Sequence, residues 1–542
     1  MKGIDELLRA WDAARASAPA AAALEEKETH TSSSRSRRTR SGSSRRPSHV
    51  LLNVAAVVGV HPNRTTAKTL TSKGLRIEVS FLMEPPPQPS TVFVASDDLN
   101  PFVPPVVLCS VDDLLLLRVN VGRKRCHVSL KHCHDYYVYR ACTDFPVLDL
   151  LQSPPNPVFH RDDVGLLPRP DGRYTVASLM DIGRDDVYEL QLYHSDTSTW
   201  TSREVSVEPP QWHPLPEGAP KFCGCLLRHY TSAVITIGRE GGTMAWVDLW
   251  RSVLLCDVLR PDSCLRAMPV PLPSRQMGLN DGLGVRLDFA AHSRAISFNR
   301  GKGCLTLVHL ERFESPDPFH AATRGRCGQD VQVLDWELTT WSNSKMSLSQ
   351  EDWHEEHTVK ASNITIDDPA AVSRMLEDFR SLPPPREHSD DEAVATATAA
   401  AAAAAPQAQK QLEFHNLSMC QPHLVPNGED VVYLVAREKY LDPKAWLVAV
   451  DMKKGTLKRV SDIGNQGHPF CHRIHCLTRI SKYTNPRKRL MKSSATDPVY
   501  IFLHLGSIRR TNSIKFLWTK KNPTIKLALW SDACCAAIKD GS

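Results

Sequence analysis

The sequence predicts a mainly β fold, propeller-like or built of stacked antiparallel sheets, with one or two short helices and disordered tails. Short apolar runs that alternate with period two recur between turn residues over several hundred positions, which is typical of β-hairpins. Several of these hairpins end in a tryptophan, and a hairpin of this kind cannot bury both of its faces alone. The 39 prolines, against 26 glycines, favour many short elements with abrupt ends.

Three hairpin units show the pattern most fully. They are residues 188–193 with a turn before Trp200, residues 331–335 leading through Thr339 and Thr340 to Trp341, and residues 446–451 with a turn at Lys454 and Gly455 before residues 456–460. Further strands are predicted at residues 253–259, 305–310 and 499–505. We expect four tryptophans to be core anchors between sheets, namely Trp200, Trp246, Trp250 and Trp341.

One helix is predicted with a clear start and stop. Asp368 can cap its N-terminus and Pro369 fits its first turn, and the prolines from Pro383 onwards end it. Its apolar face comprises Val372, Met375, Leu376 and Phe379. Near the N-terminus, residues 4–11 carry a second apolar stripe at helical spacing.

Changes in composition divide the chain of 542 residues into five predicted parts. They are a disordered Ser/Arg-rich leader at 1–48, a main β body at 49–382, a disordered acidic and Ala-rich insertion at 383–411, the continuation of the β body at 412–485, and a basic C-terminal extension at 486–542. Strand-like sequence resumes after the insertion, so we interpret the insertion as a loop within one domain.

Positive charge is concentrated at the two ends of the chain. Between Glu28 and Glu78 there are ten basic residues and no acidic one, and from Arg479 to Lys526 there are twelve basic residues against the single Asp497. The net charge of the whole chain is only +6, so the body is acidic. Such ends can bind nucleic acid, import receptors or anionic lipid, or fold back on the acidic body.

The sequence predicts a protein of the cytoplasm or nucleus that is neither secreted nor associated with a membrane. No apolar run approaches the roughly 20 residues needed to cross a bilayer, and Asp5 and Glu6 are atypical of a secretory signal. The 15 cysteines are odd in number and lack the spacing of a disulfide framework. Reduced thiols are therefore expected.

Two Cys/His groups resemble metal sites only superficially. They are Cys126, His127, His132, Cys133 and His134, and later His468, Cys471, His472, His475 and Cys476. Neither contains a C-x-x-C pair, and both lie beside strand-like sequence in which alternate side chains face opposite ways. The sequence His354-Glu-Glu-His357 is one residue short of the helical i, i+4 spacing of zinc proteases. We predict no metal site and no cofactor.

Nucleotide-binding and hydrolase motifs are absent from the sequence. There is no P-loop, no dinucleotide fingerprint and no G-x-S-x-G elbow. The glycines at Gly238, Gly241 and Gly242 favour a tight turn between strands over a ligand-binding loop. We therefore predict no catalytic residues and a protein that is not an enzyme.

Several long blocks resemble, in the same order, a plant family described as domain of unknown function 1618. Its hallmark corresponds to residues 243–251 and 254–259, and other blocks are residues 113–118, 135–140, 164–167, 188–200, 234–238, 340–341, 430–433, 444–452 and 480–483. The resemblance covers roughly residues 49–483 and implies no known activity and no catalytic residues. The hairpins with tryptophan are similar to those of F-box-associated propellers, although no F-box-like helical block precedes the body.

These observations predict a non-catalytic module that binds one or more protein partners. The alternative is a nucleic-acid-associated protein that binds through its basic ends, in which case binding would weaken steeply with salt. An enzyme is the third possibility, for which the sequence offers no positive argument.

Overall fold

The computed structural model describes residues 48–483 with gaps, together with three short strands after residue 499. The undescribed segments within 48–483 are 101–102, 123–133, 142–144, 153, 155–158, 160–161, 209–228, 239–240, 273–289, 317–330, 382–411, 427, 441 and 467–473. The helical stripe at residues 4–11 and most of the predicted strand at 499–505 lie outside the described residues. In the described part of the chain, no helix is long and apolar enough to span a membrane.

The described chain is mainly strands, most of them paired antiparallel with their sequence neighbours. The first half contains β1 (Val50–Asn53), β2 (Val57–Val58), β3 (Ala67–Leu70), β4 (Arg76–Leu82), β5 (Thr91–Ser96), β6 (Val106–Val111), β7 (Leu114–Asn120), β8 (His134–Arg140), β9 (Val147–Leu150), β10 (Val164–Pro168), β11 (Tyr174–Arg184), β12 (Val187–His194), β13 (Thr199–Ser206), β14 (Ala233–Gly238), β15 (Thr243–Asp248), β16 (Ser252–Asp257) and β17 (Arg266–Pro269).

The second half adds two α-helices and the remaining strands. They are α1 (Ala290–Ser293), β18 (Arg294–Asn299), β19 (Cys304–Pro316), β20 (Val331–Asn343), β21 (His354–Lys360), β22 (Thr365–Ile366), α2 (Pro369–Arg380), β23 (Ser418–Leu424), β24 (Val431–Arg437), β25 (Lys444–Asp451), β26 (Thr456–Asn465), β27 (His475–Thr478), β28 (Tyr500–Ile501), β29 (Ser513–Leu517) and β30 (Lys526–Trp530). The last three strands form a small sheet of their own.

Six sheets surround a common axis in the manner of propeller blades. Sheet II is β6–β9, sheet III is β10–β13, sheet IV is β14–β17, sheet V is β18–β21, and sheet VI is β23–β26 with the short β22 at its outer edge. Sheet I is formed by β27, β1, β2, β5, β4 and β3. The inner strands lie side by side in the order β6, β10, β14, β18 and β23, and β27 lies beside β6.

Sheet I closes the ring because it combines both ends of the described body. Strand β1 pairs antiparallel with β27, and its Leu52 bridges in parallel to Ser90 at the start of β5. Between sheets VI and I, the Ile474 amide donates to the Gln421 side chain at 3.0 Å. The first strand of the body is thus held between the last strand and the fifth.

The core is divided into clusters that lie between neighbouring sheets. In sheets III and IV, for example, Leu190, Trp246 and Leu254 belong to one cluster of buried side chains. Alternation along each strand sends successive side chains to opposite faces, so a central strand contributes to two clusters. In β1, Val50 and Leu52 join the cluster of sheets I and II, whereas Leu51 joins that of sheet VI. The alternation of side chains along each strand therefore provides the apolar contacts between neighbouring sheets.

Helix α2 confirms the predicted helix and its cap. Its residues Pro369–Arg380 follow Asp368, whose side chain accepts the Ala371 amide at 3.0 Å. Val372, Met375 and Phe379 are buried against sheets V and VI, and Leu376 packs beside them. The helix therefore covers the outer part of the ring where β26 lies.

The local strand predictions are mostly confirmed, with one error. Residues 188–193 and 446–451 lie in β12 and β25, and each is followed by the predicted turn and strand. The predicted hairpin at residues 331–341 is wrong, because these residues form one strand, β20. Thr339 and Thr340 are β-branched residues that fit a strand as well as a polar turn, and they pair with both β19 and β21.

Of the four tryptophans predicted as core anchors, Trp200, Trp246 and Trp341 pack in or against core clusters. Trp246 is fully buried and Trp250 nearly so. Trp200 and Trp341 are partly buried and pack on the edges of clusters. The indole Nε1 of Trp246 donates to the Asp163 carbonyl at 3.1 Å, which ties sheet IV to the beginning of sheet III.

Candidate functional site

A cavity of about 220 Å³ lies on the axis of the ring. Residues of all six inner strands line it, as expected for the channel of a propeller. Apolar side chains line it from several sheets, with Leu166, Ile235 and Ile296 as examples from three of them. Polar side chains enter it from sheets VI and I, where the rings of His423 and His475 lie 6.0 Å apart. The wall therefore offers a small space with polar and apolar surface in about equal measure.

Three charged side chains meet at one mouth of this channel, and we call Asp112, Arg300 and Arg479 the rim cluster. Each is the first residue after an inner strand: β6, β18 and β27 respectively. Nη1 of Arg300 donates to Oδ2 of Asp112 at 2.6 Å. Sheets II and V are three places apart in either direction around the ring, so this ion pair joins opposite sides of the mouth.

Asp112 forms ion pairs with both arginines of the rim cluster. Nη1 of Arg479 lies 3.6 Å from Oδ1 of Asp112, beyond hydrogen-bond distance but within an ion pair. Among the described residues, the buried Nε of Arg479 has no hydrogen-bond partner. Asp112 occupies the tight turn between β6 and β7 with φ of 52°, a left-handed conformation that aspartate tolerates. The cluster therefore carries one more positive than negative charge.

Further charged groups surround the rim cluster. Burial lowers the pKa of Lys482, and the neighbouring Arg479 lowers it further. Burial raises the pKa of Asp113, with a further contribution from the adjacent Asp112. Nζ of Lys302 lies 3.9 Å from Asp430. The mouth is thus a mixed-charge surface with its excess of positive charge at the centre.

Both ends of the described body lie at this mouth. Ser48, the first described residue, donates its hydroxyl to Glu429 at 3.2 Å. Tyr483, the last residue before the C-terminal strands, has its pKa raised by burial and by the nearby Asp112. His49, which follows Ser48, contacts the Tyr433 hydroxyl through its Nε2 atom at 3.0 Å. The basic segments of the sequence are therefore joined to the body at the same face.

A second polar cluster lies beneath the opposite face and holds loops in place. The buried Arg294 donates to the Leu249 carbonyl at 2.5 Å and to the Pro271 carbonyl, and its guanidinium lies 5.0 Å from the Trp250 ring. Asp248 accepts the amides of Tyr230 and Trp250, both at 2.9 Å. These contacts are between neighbouring loops, so we interpret this cluster as structural.

Burial raises the pKa of Asp248 to about 6, although the amides of Tyr230 and Trp250 oppose the shift. The folded protein therefore holds this proton more tightly than the unfolded chain, whose reference value is 3.8. As the pH rises through this interval, the contribution of Asp248 to the free energy of unfolding falls by about 3 kcal/mol. The free energy of unfolding of Asp248→Asn, measured by urea unfolding, should therefore rise by about 3 kcal/mol relative to that of the wild type between pH 4 and pH 7. Asp171→Asn, at an exposed turn, is the control. If the unfolding free energies of Asp248→Asn and the wild type differed by the same amount at every pH, the raised pKa of Asp248 would be contradicted.

Most residues of the predicted Cys/His groups lie outside the described residues. His134 is on β8, and His475 and Cys476 are on β27, where the His475 ring lies 6.0 Å from that of His423 in the neighbouring sheet VI. Within the described chain no group of three His, Cys, Asp or Glu side chains could hold a metal ion. Residues 354–357 lie in β21, a strand, so the helical spacing of a zinc protease does not apply.

The glycines at the β14–β15 connection occupy a tight turn, as predicted. Gly238 and Gly242 have φ of 86° and 66°, which only glycine adopts readily. A side chain at Gly242 would meet Leu259 at 2.6 Å and Leu167 at 2.8 Å. The turn therefore allows sheet IV to approach its neighbour closely.

Sequence reasoning missed the rim cluster. Asp112 and Arg300 are 188 residues apart in the sequence, and no motif joins the members of the cluster. A signal is nevertheless present once the inner strands are known. Arginine is the first residue after four of the six, at Arg169, Arg239, Arg300 and Arg479, of which Arg239 lies outside the described residues.

The arrangement defines a β-propeller-like protein of six sheets with a charged channel mouth. The family described as "Protein of unknown function (DUF1618)" matches residues 246–433, from β15 to β24. This match confirms, over that segment, the resemblance found in the sequence. The comparison with curated proteins finds no match.

Solved structures with overlapping architecture have low sequence identity to this chain. The WD40 domain of SCAP from fission yeast is 12% identical, with a TM-score of 0.29, over 78% of this chain and 90% of that one. The Trypanosoma rangeli sialidase in complex with the inhibitor DANA is 10% identical, with a TM-score of 0.24, over 89% and 59%. The polysaccharide lyase Uly1 is 8% identical, with a TM-score of 0.22, over 89% and 96%.

Proposed function

We propose that this protein is a non-catalytic interaction module whose partner is another protein, bound at the channel mouth that carries the rim cluster. The observation that supports this most is the mixed-charge mouth over a small cavity with both apolar and polar surface. Polar groups around an apolar centre are the arrangement found at protein interfaces. The charged groups come from turns of several sheets, which a closed ring holds in fixed positions.

The chemistry of the rim cluster favours binding over catalysis. The two oxygens of the Asp112 carboxylate already form ion pairs with Arg300 and Arg479, so this carboxylate is not placed as a free general base. A nucleophile activated by a neighbouring base is the usual alternative. At this mouth the hydroxyls of Ser110 and Thr478 hydrogen-bond to each other at 2.7 Å rather than to a base.

We place the protein in the cytoplasm or nucleus. Cys256, Cys264 and Cys304 are free thiols, as is usual in a reducing compartment.

A photo-crosslinking side chain at the mouth tests the proposed function. Lys302 is more than half exposed at this face, and Glu204 is equally exposed at the edge of sheet III. We expect p-benzoylphenylalanine at position 302, in the full chain in cells, to give discrete protein adducts that the same group at position 204 does not give. Adducts equal in identity and yield at both positions, or none at 302, would show that the mouth is not the binding surface.

The second candidate function is association with nucleic acid. It is favoured by one observation, namely that Ser48 and Tyr483, where the basic segments join the body, lie at the same mouth. Binding of a labelled oligonucleotide should then fall steeply with salt and disappear when residues 1–47 and 486–542 are removed. Retention of full affinity by the shortened protein would exclude the basic ends as the binding elements.

A further inference from the structure

The rim cluster carries a further inference about the chemistry of the partner, which rests on the proposed function. Among the described residues, arginine directly follows three of the six inner strands, at Arg169, Arg300 and Arg479. Among the described ones, Arg169 has its own carboxylate, Asp196, at 3.2 Å. Arg300 and Arg479 share the single carboxylate of Asp112. Two guanidinium groups at the centre of the mouth therefore have one carboxylate between them.

The two arginines are not equally engaged. Arg300 makes a short charge-assisted hydrogen bond with Asp112, whereas Arg479 reaches Asp112 only at 3.6 Å. The side chain of Arg479 is only about a quarter exposed, and its buried Nε has no hydrogen-bond partner among the described residues. A guanidinium offers five N–H donors in a planar fork suited to a carboxylate. Arg479 thus retains donor capacity directed at the mouth.

The surroundings favour one carboxylate over a polyanion. Three acidic side chains, Asp113, Glu429 and Asp430, lie in the turns around the mouth. They would repel the successive phosphates of a nucleic acid, which needs a continuous basic track. One acidic side chain on a protein segment can instead reach the central arginines while neighbouring basic residues of that segment approach these carboxylates.

We infer that the mouth binds an aspartate or glutamate side chain of a partner protein, which Arg300 and Arg479 hold by exchange with Asp112. In the free protein Asp112 occupies the arginines and compensates their charge. In the complex the incoming carboxylate accepts hydrogen bonds from the guanidinium of Arg479 and competes with Asp112 for Arg300. The cavity of about 220 Å³ below accommodates an apolar side chain next to the acidic one.

The exchange predicts opposite effects for the two kinds of rim substitution. Arg479→Gln and Arg300→Gln remove a donor and should each weaken binding about fivefold. Asp112→Asn removes the internal competitor and should strengthen binding about threefold by the same reasoning. A purely structural rim would give weaker binding in all three variants. The matched control is the exposed pair of Arg184 and Glu204 on sheet III, 2.8 Å apart, whose substitution to Gln should change nothing.

A random dodecapeptide phage library, selected on the full-length protein, provides the probe. We expect selected peptides to be enriched in Asp or Glu, and the best one, labelled with fluorescein, to show the opposite effects above in fluorescence anisotropy. Each variant is first checked for a cooperative thermal transition. No selected peptides, no acidic enrichment, or equal affinities across the variants would overturn the inference. A crosslink at position 302 to a partner that binds all rim variants equally would overturn it while leaving the proposed function intact.

Discussion

Removal of residues 1–53 should abolish the cooperative unfolding transition that a protein lacking only residues 1–47 retains. The two shortened proteins differ by six residues, which comprise β1 and the two residues before it. Val50, Leu51 and Leu52 are fully buried, and each buried aliphatic side chain contributes about 1.5–3 kcal/mol. Their loss also leaves β27 and β5 without the strand that joins them. The measurement is circular dichroism during thermal unfolding.

Point substitutions separate closure of the ring from a general effect of shortening. Leu51→Ala should lower the free energy of unfolding by about 2–5 kcal/mol, because it opens a cavity against sheet VI. Val57→Ala, in the next strand, changes a residue that is 46% exposed and should cost less than about 0.5 kcal/mol. If the protein lacking residues 1–53 melts as cooperatively as the longer one, β1 does not close the ring.

Replacement of Trp246 by alanine should destabilise the protein by about 3–5 kcal/mol. The side chain is fully buried in the cluster between sheets III and IV, and its Nε1 donates to the Asp163 carbonyl at 3.1 Å. The substitution therefore removes a large apolar surface together with one of the hydrogen bonds that the half-buried Asp163 carbonyl accepts. Urea unfolding followed by fluorescence of the remaining tryptophans provides the free energy.

Two comparisons make the Trp246 prediction specific. Trp246→Phe retains most of the apolar volume but loses the hydrogen bond, so its destabilisation should be about 1–3 kcal/mol. Trp341→Ala changes a partly buried tryptophan at the edge of a cluster and should have a smaller effect than Trp246→Ala. Equal losses in the two alanine variants would mean that burial between the sheets does not determine the role of Trp246.

The local elements could be predicted because their causes lie within a few residues. Period-two alternation in β12 and β25, the glycine turn at Gly242 and the Asp368 cap of α2 are all properties of contiguous sequence. The failure at β20 has the same origin, because Thr339 and Thr340 fit a strand or a turn equally well in local terms. Pairing with strands on both sides decides between these alternatives, and pairing is not a local property.

By itself, the sequence determined the mainly β character of this protein and its buried tryptophans, since alternation and apolar content already specify which side chains must leave water. Only the tertiary structure decided the number of sheets, the closure through β1 and β27, and the meeting of Asp112, Arg300 and Arg479. These three residues follow different inner strands and come together only when the ring is closed. A contact between such distant positions depends on how all six sheets pack, which no local pattern encodes.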